Sequence, residues 1–309
     1  MPARSPRPSV ISPMAGGAEP GVGAVLPLPG ATPASVAERV RSAAEQLEAA
    51  GVPLAELVAA TPELGDALTA LAAGSDWAVD WLARQPEALA ALAAADLHRT
   101  APTAEALAQE LEAVLAAAGP DDELRPDGPV AGALRAFRNR HMIGVLLRDQ
   151  SRRAELEETV AALSDLAEVV LQVTLARVEH AAAAAWGAPV AADGTPVRMI
   201  VLAMGKLGAR ELNLSSDVDL VFACTAPGET PGGLPAREFF TRVGQRLIGL
   251  LDTRTPAGFV FRVDLRLRPF GEAGPVVQHF DALVAYYEEQ GREWERYALI
   301  KARPVAGDL

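Results

Sequence analysis

The feature that most limits what this chain can become is VLAMGKLGARELNLSSDVDLVFA, residues 201–223, where a glycine turn and two spaced aspartates sit between apolar runs. Asp217 and Asp219 open the segment Asp217-Val218-Asp219-Leu220-Val221-Phe222, whose alternation predicts a strand. A period of two puts both carboxylates on one face and turns Val218, Leu220 and Phe222 into a core. Paired carboxylates at one strand edge make a hard, oxygen-rich site, better suited to Mg²⁺ carrying phosphates than to Zn²⁺.

Residues 197–204, just before it, form a continuous apolar run, as expected of a strand buried on both faces. The following Gly205-Lys206-Leu207-Gly208 predicts a turn where backbone N–H groups can approach a phosphate, with Lys206 as a point charge. Asn213, Ser215 and Ser216 are placed to hydrogen-bond phosphate oxygens or brace the carboxylates. The turn lacks the ending of a Walker loop and the spacing of a dinucleotide fingerprint.

Residues 259–268 alternate cleanly, with Phe261, Val263, Leu265 and Leu267 on one face and Arg262, Asp264, Arg266 and Arg268 on the other. A half-buried strand with one acid among three arginines is costly unless those charges meet a partner, which favours an anionic ligand over a surface ladder. Strand, turn, strand with Asp-x-Asp, helix, strand with a third aspartate is an order that brings Asp217, Asp219 and Asp264 together on one sheet. Such a triad can hold two Mg²⁺ ions that clamp the attacking and leaving oxygens of a displacement at phosphorus. An Asp-x-Asp pair alone is common; joined to the glycine turn and the third aspartate it points to nucleotidyl transfer.

The remainder divides by composition into a helical region, 32–186, and a catalytic core, 187–280, preceded by a Pro/Gly-cut leader, 1–31, expected to be disordered. Pro33, Pro53, Pro62, Pro86 and Pro102 each stand near a plausible helix start. Residues 135–153 form a basic helix carrying Arg135, Arg138, Arg140, Arg148, Arg152 and Arg153, either a solvated face or a surface for an anionic partner or the phosphates. A long amphipathic helix over 155–186 ends at Gly187 and Pro189, and another helix spans 236–251. Residues 281–303 read as a helix, so 281–309 is expected to begin a further helical region. The fold class is therefore α+β.

A net charge of −12 disfavours nucleic acid as a partner. The single cysteine, Cys224, excludes an internal disulfide, suits a reducing cytoplasm and is expected to be a small buried side chain. No uninterrupted apolar stretch approaches the about 20 residues of a membrane span, so no membrane association is expected. His98, His141, His180 and His279 are scattered without metal-ligand spacing.

The runs AMGKLGARELNLSSDVDLVF and FRVDLRLRPFGEAGPVV, followed by YYEEQGREWERYALIKAR, resemble the glutamine synthetase adenylyltransferase family, a branch of the polymerase-beta-like nucleotidyltransferases. The match is dense over 197–303 and looser before it. The resemblance implies a small mixed sheet, with Asp217, Asp219 and Asp264 as ligands of two Mg²⁺ ions. It also implies that Gly205, Lys206, Ser215 and Ser216 line the nucleotide phosphates; Arg266 and Arg268 are added on charge grounds. Family members are long chains with two nucleotidyltransferase domains, the first removing AMP from a glutamine synthetase tyrosine by phosphorolysis to ADP, the second adding AMP from ATP. Glu211-Leu212-Asn213 and the stretch Val263-Asp264-Leu265-Arg266-Leu267-Arg268-Pro269-Phe270 are closer to the first, which makes AMP removal the expected activity and Leu309 the end of a fragment. Glutamine synthetase is then the protein substrate, and a PII-type signalling protein a partner of the longer enzyme. AMP transfer from ATP is the nearest alternative, and a non-catalytic module that binds glutamine synthetase a further one.

Overall fold

Prolines and short polar caps set the helix starts. The computed structural model describes residues 33–120 and 124–308, so the leader read at 1–31 lies outside the described residues. Before the first strand come α1 (Pro33–Ala49), α2 (Leu54–Ala60), α3 (Pro62–Gly74), α4 (Asp76–Arg84), α5 (Pro86–Ala94), α6 (Ala104–Ala118), α7 (Pro129–Gln150) and α8 (Leu156–Trp186). Pro62 and Pro86 occupy the first turns of α3 and α5, where a missing N–H leaves no bond unmade. Ser75 and Thr103 cap α4 and α6, accepting from the N–H groups of Ala78 at 3.3 Å and Ala106 at 3.2 Å.

These helices fill two cores. Leu64, Leu71, Leu82 and Leu89 of α3–α5 close a small one. Leu111 of α6 and Val170 and Leu175 of α8 belong to a larger one that runs without a break into the sheet at Val201 and Leu220. α7 serves both, giving Ile143, Leu146 and Leu147 to the first and Leu134, Phe137 and Val145 to the second. The change of composition at Gly187 is therefore no break in packing. Nor is α7 a solvated basic face, because Arg135, Arg138 and Arg148 are buried. Arg148 donates to the carbonyls of Leu97 at 2.5 Å and Gly144 at 3.2 Å, and Arg135 to those of Pro126 at 2.8 Å and Thr253 at 2.9 Å. By length and composition α8 is apolar enough to cross a bilayer, contrary to the sequence expectation, but 56% of that stretch is buried inside the protein.

The sheet follows with β1 (Met199–Ala203), α9 (Gly205–Gly208), β2 (Val218–Cys224), α10 (Ala236–Asp252), β3 (Val263–Asp264), β4 (Val277–His279), α11 (Phe280–Glu289), α12 (Glu293–Ala298) and β5 (Arg303–Gly307). It is mixed, in the order β3-β2-β1-β5, with β4 also on β2. β1 pairs antiparallel with β2 and β5, while β3 and β4 pair parallel with β2. α8 and α10 share the larger core with one face of the sheet. On the other face Leu283, Tyr286 and Tyr287 of α11 pack on Val221 and Met204, which is why β2 is apolar on both sides beyond Asp219.

Two segments differ from their sequence reading. The strand expected over 259–268 is only Val263–Asp264, because the Asp264 carboxylate accepts from the backbone N–H of Arg266 at 2.7 Å and turns the chain. The helix expected over 281–303 breaks after Glu289 and is followed by β5, which brings the end of the chain into the sheet. Pro304 and Gly307 hide this strand in the sequence, yet β5 is an edge strand, where a proline is tolerated. Arg303 anchors it by a forked pair with Glu168 of α8 at 2.8 and 2.5 Å.

Glu179 of α8 gives the fold a pH signature. Burial pushes its carboxyl up from 4.5 to about 7, against the opposing pull of Arg198 and the Met199 N–H. Between these values the folded chain holds a proton that the unfolded chain has released, so stability falls as pH rises from about 4.5 to 7 and is flat above. Glu179→Gln should raise unfolding free energy at pH 8 by on the order of 1–3 kcal/mol and change it little at pH 4, measured by denaturant titration.

Candidate active site

The glycine turn and the aspartates prove to be one packing unit. Gly205 has φ +53°, and a Cβ there would lie 2.6 Å from Oδ2 of Asp219, so the glycine makes room for that carboxylate. Gly208, at the other end of α9, packs where a Cβ would meet the carbonyls of Lys301 and Ala203. The Met204 N–H donates to the Asp219 carbonyl at 2.8 Å and ties the turn to β2.

Parallel pairing of β2 with β3 sets Val218 beside Val263 and Asp219 beside Asp264. Asp217 precedes the pair and is bonded by Nε of Arg262, whose Nη2 also donates to the Ser215 carbonyl. Asp264 is chelated by Arg266, with Nε at 2.8 Å and Nη2 at 2.5 Å from Oδ2. Those hydrogen bonds hold the Asp264 carboxyl below its ordinary value despite partial burial. Asp219 has no such donor among the described residues: burial raises its carboxyl, and the charges of Asp264 and Asp217 raise it further. Among the described residues no three His, Cys, Asp or Glu side chains are gathered closely enough to hold a metal ion. The donor set nonetheless suits a hard divalent cation, which would relieve the repulsion at Asp219 once Arg262 and Arg266 turn aside.

The other expected residues are distributed around this centre. Lys206 Nζ lies 3.3 Å from Ser216 Oγ, which donates to Asn213 Oδ1 at 2.6 Å, so these three form a polar rim beside the turn. Ser215 enters through its carbonyl, bonded to Arg262. Arg268 lines the same cleft as Asp217, Asp264 and Arg266. Its donors, however, go to the carbonyls of Leu265 at 2.9 Å, Glu272 at 3.0 Å and Gly274 at 3.2 Å, so it shapes the loop after β3. Arg262 was visible in the alternation but not singled out; its place one residue before β3, opposite Asp217, depends on strand register. Cys224 is fully buried, and burial pushes its thiol up to about 11, as a packing residue requires.

An ionised Asp219 costs the metal-free fold stability at neutral pH, because its folded value lies above its unfolded one. Asp219→Asn should therefore raise the melting temperature of the metal-free chain, by roughly 2–4 °C per kcal/mol relieved, in differential scanning calorimetry.

Comparison with known proteins gives the chain its family. A family model described as Glutamate-ammonia ligase adenylyltransferase matches residues 65–309. The chain is 49% identical over 245 residues to the Bifunctional glutamine synthetase adenylyltransferase/adenylyl-removing enzyme of Thioalkalivibrio sulfidiphilus, covering 79% of this chain and 25% of the relative. The protein of that name from Pseudomonas putida is 44% identical over 290 residues, covering 92% of this chain and 29% of the relative. The chain thus spans about a quarter of the length of such relatives. With Asp219 and Asp264 in register on a small mixed sheet and the family match over most of its length, this chain belongs to the glutamate-ammonia ligase adenylyltransferase family.

Proposed function

We propose that this chain carries the AMP-removing activity: phosphorolysis of adenylyl-tyrosine on glutamine synthetase, giving ADP and free tyrosine. An oxygen of inorganic phosphate forms a bond to the AMP phosphorus. The bond from that phosphorus to the tyrosine oxygen breaks, and the phenolate takes up a proton. The observation that carries this reading is the placing of Asp219 beside Asp264 across β2 and β3, with the charge of Asp217 felt at the same point.

Asp217, Asp219 and Asp264 would hold Mg²⁺, which supplies charge neutralisation at the phosphoryl oxygens when bound. Lys206 and Ser216 stand beside the turn to receive phosphate oxygens, and Arg266, released from Asp264, becomes available to the same anion. The direction of transfer is supported by Glu211-Leu212-Asn213 and by the stretch from Val263 to Phe270, which resemble the AMP-removing half of such enzymes. Glutamine synthetase as substrate is supported by the names of the relatives. A cytoplasmic setting and control through a PII-type protein in the longer enzyme complete the proposal.

Incubating the chain with adenylylated glutamine synthetase, Mg²⁺ and phosphate should release ADP. Asp217→Asn, Asp219→Asn and Asp264→Asn should each slow release roughly a hundredfold or more, about 2.7 kcal/mol of transition-state stabilisation at 1.36 kcal/mol per decade. Unchanged turnover in any of the three would contradict the site. Labelled ATP with unmodified glutamine synthetase should leave that protein unlabelled; label on it would assign the reverse direction.

A further inference from the structure

Three buried arginines lie on α7, and only two are explained by packing. Arg135 and Arg148 give their Nη donors to backbone carbonyls, and Arg148 also meets Glu158 at 3.4 Å, although the Nε of each, like that of Arg138, is buried without a hydrogen-bond partner. Arg138 is 8% exposed and has neither a carbonyl nor a carboxylate as acceptor among the described residues. Its one hydrogen bond is from Nη1 to Oδ1 of neighbouring Asn139, at 2.9 Å, and its Nε is buried without a partner. Burial and the nearby charge of Arg262 lower it to about 10, which leaves it a cation at neutral pH.

Aromatic rings offset part of this cost. The guanidinium carbon lies 5.5 Å from the ring centre of Phe261 and 5.8 Å from those of Trp77 and Phe259, contacts that stabilise a desolvated cation through the ring faces. Yet Phe259 already faces two further guanidiniums, Arg254 at 5.8 Å and Arg262 at 5.6 Å. Rings cannot occupy the in-plane N–H donors, and a buried cation without a counter-charge is costly. Of these cations Arg262 is paired with Asp217, whereas Arg138 meets no carboxylate among the described residues.

Arg138 and Arg262 both line a cavity of about 370 Å³ between α7 and the loop that leads into β3. Asn139, Ser215 and Ser216 add hydrogen-bonding groups to its wall, and no Asp or Glu lines it. Arg262 also lines the cleft that holds Asp217 and Asp264, so it forms the partition between cavity and carboxylates.

We propose that this cavity binds a phosphoryl group, with Arg138 as its principal donor and Arg262 as its second cation. The ligand is a phosphate oxyanion, either free orthophosphate or the phosphate of a nucleotide. This site adjoins the carboxylate centre, sharing Arg262 with it, and needs no metal.

The test is titration calorimetry of the 309-residue chain with orthophosphate and with ADP in excess EDTA. The wild-type chain should bind at least one of them. Glu179→Gln, on α8 and outside the cavity, should bind within twofold of wild type, and Arg138→Gln at least tenfold more weakly. Binding of orthophosphate assigns the free oxyanion; binding of ADP alone assigns the nucleotide phosphate. Should Arg138→Gln lose its fold by circular dichroism, Asn139→Asp decides, because a carboxylate beside Arg138 supplies the missing counter-charge and should weaken anion binding at least tenfold. No metal-free binding by the wild-type chain, or binding within twofold in Arg138→Gln or Asn139→Asp, would overturn the proposal. Since the titration contains no metal and no protein substrate, its failure leaves the AMP-removing reading standing, and the converse holds.

Discussion

The two-residue parallel pairing of β2 with β3 is the interaction on which the rest of the site depends. It places Asp219 beside Asp264, a contact between like charges that a protein does not hold without compensation. Compensation comes from both sides. Arg262 and Arg266 each bind one flanking carboxylate, Gly205 leaves room for the third, and the buried Val218, Val260 and Phe261 fix the strands beneath them. The Asp217–Arg262 pair is more than a third exposed on each side, and such pairs contribute little stability in water. Their value here is positional, since they fix where the flanking carboxylates sit.

Around this centre the fold is welded by arginines rather than divided into independent parts. Arg148 ties α7 to the carbonyl at the end of the small helical core, Arg135 ties it to the end of α10, and Arg303 ties β5 to Glu168 on α8. Each of these buried or half-buried cations replaces hydrating water with carbonyl or carboxylate oxygens, which is what lets a long basic helix sit in the middle of an acidic protein. Arg138 stands apart within this pattern, as the cation on α7 that meets only an amide and aromatic faces.

Much of this was legible because it is local. Alternation around Asp217 and Asp219, the helical period of residues 156–186 and the prolines at helix starts each follow from near-neighbour chemistry, and the corresponding elements are present. What was not legible depends on distant partners. The alternation through Arg268 read as one strand because nothing in it announces the turn made by Asp264 on the Arg266 N–H. β5 was invisible because Pro304 and Gly307 look like a loop until β1 is there to pair with them. The buried fates of Arg135, Arg138 and Arg148 could not be told from a solvated stripe, because their burial is imposed by helices far away in the sequence.

The central proposal is that Asp217, Asp219 and Asp264 form one divalent-cation site. Crystals of the chain soaked in Mn²⁺ and measured for anomalous scattering test it most directly. The account predicts an ion in contact with carboxylate oxygens of all three aspartates, with Arg262 and Arg266 turned away from Asp217 and Asp264. Anomalous density absent from this cleft, or an ion bound while both guanidiniums keep their present bonds, would contradict it.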